Sequence, residues 1–134
     1  MSIETTKKFI ETHNLNEKVS MSDAGVFEIP DGLFEEVVLQ PAGVTAEQYA
    51  QVHEGAGQLA AAVSYVFAEK AAPYMKENEN IAELGYSYNA GGATVSGIID
   101  RKGELVTVVD TKYKSSAMND VVESVASFFE DVNS

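Results

Sequence analysis

The sequence predicts an α+β domain in which an antiparallel sheet, closing in a C-terminal three-strand meander, packs against a long central helix and a C-terminal helix. Three observations carry that reading. Apolar residues repeat in steps of three and four from Tyr49 to Val66, alternate from Leu84 onward, and return to helical spacing from Val121 to Val132. A chain of 134 residues that is 45% hydrophobic can bury a core without disulfides or metal, so a single domain over 1–134 is expected.

At the N-terminus Ser2 is placed to cap a short helix reaching about Asn14, with Ile3, Phe9 and Ile10 near helical spacing and Lys7 and Lys8 on the wet face. Leu15 to Ala24 shows no periodicity and reads as a connection. Val26–Ile29 then runs into Pro30-Asp31-Gly32, where Pro sets φ, Asp bonds nearby backbone and Gly supplies positive φ. The apolar spacing of Leu33–Leu39 fits either period, and its β-branched pair Val37-Val38 favours a strand.

Thr45 and Gln48, behind Pro41 and Gly43, form a capping-box pattern that opens the long helix, which is expected to end near Pro73. Gly55 and Gly57 inside it cost about 1 kcal/mol each against Ala. With Ala56, Ala60, Ala61 and Ala62 they make a face that a neighbour can approach closely, either the domain's own sheet or another subunit. Gly57 and Ala61 are therefore candidate interface residues.

In the meander, Leu84-Tyr86-Tyr88 alternates with polar neighbours, Asn89-Ala90-Gly91-Gly92 turns the chain, and Val95-Gly97-Ile99 alternates in the second strand. Asp100-Arg101-Lys102-Gly103 is a hairpin loop with Gly at the left-handed position, followed by a strand from Glu104 to Tyr113. Leu105 to Val109 is apolar on both faces, which predicts a sheet covered on both sides, by helices or by another subunit. Ser115-Ser116 offers a cap for the last helix, whose stripe of Val121, Val122, Val125, Phe128, Phe129 and Val132 has to dock on something apolar.

Charge limits the partners. With 21 acidic and 9 basic residues the formal net charge is -12, which repels nucleic-acid phosphates and anionic lipid. The expected partner is a protein, a basic one by charge, and no direct nucleic-acid or membrane binding is expected. No apolar run approaches a membrane span, the first residues lack a signal-peptide pattern and there is no cysteine, so a cytoplasmic location is expected.

Chemistry leaves few traces. The chain has no phosphate loop, zinc-protease motif, nucleophile elbow or EF-hand spacing, and no catalytic residue, metal site or cofactor is expected. His13 and His53 fall in different elements, and a structural role outweighs a catalytic one. Gly91-Gly92 precedes no helix N-terminus and reads as a turn. Glu35-Glu36, in a strand, would point to opposite faces. Arg101-Lys102 sits at a hairpin tip, solvated or touching an acidic partner. Tyr86 and Tyr88 share one strand face, where core or protein-interface packing outweighs base stacking.

The run Ile29-Pro30-Asp31-Gly32, with Val44-Thr45-Ala46-Glu47 opening an Ala-rich helix and Glu69-Lys70 near its end, resembles small proteins encoded by tailed bacteriophages over residues 28 to 80. The order helix, two strands, helix, three-strand meander, helix is similar to the roadblock and profilin-like folds, which are protein-binding and often dimeric. These resemblances imply a phage accessory or virion protein, located in host cytoplasm or particle.

The reading that results is a non-enzymatic protein-binding or assembly module, a homo-oligomer, with Gly57, Ala61, Tyr86, Tyr88, Phe128 and Phe129 as interface candidates. Two alternatives stand beside it. One is an acidic nucleic-acid mimic that occupies the basic cleft of a DNA-binding protein, against which the ordinary 22% of charged residues speaks. The other is a small-ligand protein or enzyme with a pocket between the long helix and the meander, edged by Tyr86, Tyr88 and His53.

Overall fold

The computed structural model describes residues 3–45, 48, 53–90, 93–109 and 117–133. Several expectations lie outside them: the caps at Ser2 and Ser115-Ser116, the Gly91-Gly92 turn, Tyr49 and Val52, the strand beyond Val109, and the side chain of His53. Among the described residues the fold is α+β, as the periodicities predict. Helices α1 (Ile3–Thr12) and α2 (Leu15–Lys18) lead into a small hairpin of β1 (Ser20–Met21) and β2 (Phe27–Glu28). A π-helical turn, Glu35–Leu39, runs into the short α3 (Gln40–Ala42), and the long α4 (His53–Glu77) follows. The meander is β3 (Glu83–Ala90), β4 (Ala93–Asp100) and β5 (Leu105–Val109), antiparallel in the order β3-β4-β5, and α5 (Ala117–Asn133) closes the chain. No described helix is long and apolar enough to cross a membrane.

The first half differs from expectation at three points. Leu15–Lys18 is a helical turn, entered through Asn14 in the left-handed conformation (φ 54°), and Leu15 and Val19 are buried in the core. Leu33–Leu39 is helical, not a strand. Leu33 and Phe34 are buried, Glu35 and Glu36 exposed, and Val37, Val38 and Leu39 buried, a repeat near four that a strand's two-residue period cannot make. Both glutamates therefore face solvent together, and Glu36 meets Lys18 at 2.7 Å, an exposed pair of small energetic weight. Gly32 does not use positive φ. It accepts the Glu36 N–H at 3.0 Å through its carbonyl, while Leu33 N–H closes the turn onto Pro30 at 3.2 Å. The positive φ of this region belongs to Gly43 (70°), which ends α3 with Gly43 N–H on the Gln40 carbonyl and Val44 N–H on that of Leu39, a Schellman closure.

α4 is the axis of the domain. From Ala56 through Ala68 nearly every side chain is buried, the signature of a helix surrounded on all sides. The amide N–H of Thr45 bonds Gln48 Oε1 at 3.3 Å, one half of the predicted capping box. The helix passes through Pro73 and ends at Glu77 instead of stopping at the proline. Glu69, whose carbonyl loses its N–H partner there, lies with Pro73 on the exposed side, while Ala71, Ala72 and Met75 remain buried. Gly55 explains itself by approach: a Cβ there would stand 3.3 Å from Val38 Cγ1.

Two cations tie elements to α4. Lys70 Nζ donates to the carbonyls of Asn16 (2.8 Å) and Val19 (2.7 Å) at the end of α2. Arg101, from the β4–β5 loop, donates through Nη1 to the carbonyls of Met75 (2.6 Å), Asn78 (3.2 Å) and Ile81 (3.2 Å), so the guanidinium caps the negative end of α4. This is the role of the residue that the sequence leaves solvated at a hairpin tip. Arg101→Ala is expected to lower stability by about 2 kcal/mol, the range for charge-assisted hydrogen bonds, and Arg101→Lys by less because it keeps the charge without the fork. Urea denaturation at neutral pH measures both.

Between α4 and the inner face of the meander lies an aromatic layer. Phe67 is 4.9 Å from Tyr86 and 5.2 Å from Phe27 between ring centroids, and Phe27 is 5.8 Å from Tyr86. Tyr86 lies over its cross-strand partner Gly97, where a Cβ would run into the ring. Ser64 Oγ donates to the Ala60 carbonyl at 2.9 Å, which leaves its lone pairs to accept the Tyr86 hydroxyl. Burial pushes the Tyr86 phenol up to about 12 from 10, and the hydrogen bond with Ser64 opposes the shift only in part.

The sign of the resulting pH dependence is set by that raised value. Below pH 10 the phenol is protonated in both states, and its contribution to stability is complete. Between pH 10 and about 12 the unfolded chain loses the proton first, so stability falls by about 1.4 kcal/mol at pH 11 relative to pH 9. Tyr86→Phe is expected to remove this alkaline component while losing about 1 kcal/mol at pH 8 with the Ser64 bond. Denaturation curves of both proteins at pH 8 and pH 11 provide the comparison.

Candidate protein-binding face

Strand alternation divides the meander into two unlike faces. The inner face carries Tyr86, Tyr88, Val95, Ile99 and Leu105, all buried. The outer face shows Ile98 at 48% exposure, Val106 at 60% and Val108 at 56%. The expectation that β5 is covered on both sides is therefore corrected among the described residues, whose helices cover one side only. Among the described residues β3 and β5 are both edge strands, and β4 holds Ile98 between them.

Register assembles these residues into rows. Gly85, Ile98 and Val106 stand side by side across the three strands, and Ser87, Ser96 and Val108 form the next row. Ser96 Oγ donates to Ser87 Oγ at 3.3 Å, so two of the small hydroxyls bond to each other. Neither row contains an ionisable side chain, on a chain of net charge -12. Acids gather at one end of the face, where Glu83 pairs with Asp100 and Glu104 follows. Asp100 Oδ1 also accepts the N–H groups of Lys102 (2.9 Å) and Glu104 (3.0 Å), which fixes the hairpin loop.

The six residues that the sequence offers for an interface are dispersed. Gly57 and Ala61 are buried in α4, inside the domain's own core. Tyr86 and Tyr88 lie on the covered side of the sheet, with ring centroids 6.2 Å apart. Phe129 is buried beneath α5, and Phe128 alone of the six is exposed, at 41%. Phe128 borders a groove of about 250 Å³ between α1, α4 and α5, together with Ile3, Lys7 and Tyr65. That groove lies on the helical side, away from the open sheet.

The place where the sequence allows a ligand pocket, between the long helix and the meander, is filled by the Phe27, Phe67 and Tyr86 rings. His13 packs against Phe9 with centroids 4.6 Å apart, and partial burial, with Lys18 nearby, holds its pKa below the usual value. Among the described residues no cluster of three or more His, Asp or Glu is arranged to hold a metal ion. Ile98, Val106 and Val108 are absent from the sequence-derived candidates. The signal was present in the two-sided apolarity of Leu105–Val109, and pairing it in register with β4 places Ile98 beside Val106.

Comparison of the chain with protein-family models, with curated proteins and with solved structures finds no match.

Proposed function

We propose that this protein is a non-enzymatic binding and assembly module that engages protein through the open face of the meander. One observation carries the reading: Ile98, Val106 and Val108 form a contiguous, exposed apolar patch in two rows free of charge, on a chain otherwise dominated by carboxylates. Water against such a patch is displaced favourably by another apolar surface, whereas nucleic acid and anionic lipid gain nothing from it and are repelled by the net charge. The resemblance of residues 28 to 80 to small tailed-phage proteins supports an accessory or virion role, in host cytoplasm or particle.

The test compares the tagged protein with its Val106→Glu/Val108→Glu variant after expression in the source cells beside an untagged copy. Proteins recovered with the parent and lost from the variant, the untagged copy included, support the face as the binding surface. Identical recovery by both overturns the reading.

A further inference from the structure

We infer that the occupant of the open face is a second copy of this chain, packed sheet against sheet, an inference that rests on reading this face as the binding surface. Charge argues first. A basic partner, which the composition favours, gains most from docking against carboxylates, and the middle of this face has none. Two copies, each at -12, repel at long range and tolerate contact only where no carboxylate loses its water. The rows Gly85-Ile98-Val106 and Ser87-Ser96-Val108 meet that condition.

The acidic end decides the orientation. Faces related by a two-fold axis along the strands would stack one acidic end, with its Glu83, Asp100 and Glu104, on the other. An axis across the strands sends those acids to opposite ends, over Asn89 and Thr94, and lays β5 on β5 in antiparallel sense. Val106 then meets Val108 of the partner subunit, with side chains from both sheets filling the spacing of about 10 Å.

Area sets the strength. Three strands about 4.8 Å apart, over about 20 Å of length, cover about 300 Å² per copy, or about 600 Å² in total, below the roughly 1,200 Å² of a stable interface. The dimer is weak and concentration-dependent.

Sedimentation velocity from about 10 μM to about 1 mM is expected to show the mass rising from 14.4 kDa toward twice that value. The rise is steeper at 0.5 M salt than at 0.05 M, because salt screens the mutual repulsion. Val106→Glu/Val108→Glu remains a monomer throughout, with the circular dichroism of the parent. The chain lacks cysteine, so Val106→Cys is a clean probe: a short bis-maleimide yields covalent dimer from it and none from Lys8→Cys on α1. A monomer at every concentration, a dimer indifferent to the double substitution, or equal cross-linking at both positions overturns the inference. If the purified protein is a monomer while the co-purification still loses a different protein with Val106 and Val108, self-association fails and the binding face stands.

Discussion

Phe129→Ala is expected to lower the unfolding free energy by about 3–5 kcal/mol, the cost of emptying a buried phenylalanine site, out of the 5–15 typical of a domain. Phe128→Ala, one residue earlier, is expected to change it by less than about 1 kcal/mol. Adjacent helical residues point about 100° apart, and here that rotation carries one ring from 41% exposed to 1%. The two rings touch edge to face with centroids 6.1 Å apart, so Phe128 loses a modest aromatic contact and little buried area. Below Phe129, Val121 and Val125 continue the same buried stripe toward α4. Paired urea titrations decide the matter: equal midpoints for the two variants would mean that α5 docks through some other surface.

That ring pair also shows where the sequence is readable. The valine and phenylalanine stripe of α5 demands a buried face, and the amphipathic period locates it within one residue. Which of two neighbours lies inside depends on the phase at which α5 meets α4, a tertiary quantity. The meander was legible for the same reason: alternation at Leu84–Tyr88 and Val95–Ile99 is a local property of each strand. Cover for its second face was not legible, since Val106 and Val108 read alike under helices, under a subunit or in water. At Leu33–Leu39 two signals conflicted. Val37-Val38 favours a strand by propensity, but Glu35-Glu36 between buried pairs can face solvent together only in a helical turn, and the burial pattern follows the glutamates. Arg101 was opaque for another reason. Its partners, the carbonyls of Met75, Asn78 and Ile81, lie 20 to 26 residues away along the chain, and no local pattern announces a cap supplied from that distance.

Gly103→Ala is expected to cost about 3 kcal/mol, although it adds a single methyl group to a surface hairpin. Two effects add. Gly103 has φ 85°, where an L residue is strained by about 1–2 kcal/mol. Its new Cβ would also lie 2.7 Å from Phe129 Cβ and 3.0 Å from Ala126 Cα, closer than packed carbons stand. The second obstacle is backbone and cannot swing aside, so α5 has to shift away from the β4–β5 loop, with the usual 1–3 kcal/mol of overpacking. Gly103→Asn separates the terms. Asparagine tolerates the left-handed region but carries the same Cβ, so it is expected to recover the strain and keep the clash. In Gly103→Ala/Phe129→Ala the smaller side chain at 129 leaves α5 room to move, and the combined loss is expected to fall short of the sum of the singles by at least 0.5 kcal/mol. Urea titration of the four proteins tests the contact: strict additivity would mean that the loop and α5 do not press on one another, and an asparagine variant as stable as the parent would assign the whole cost to backbone strain.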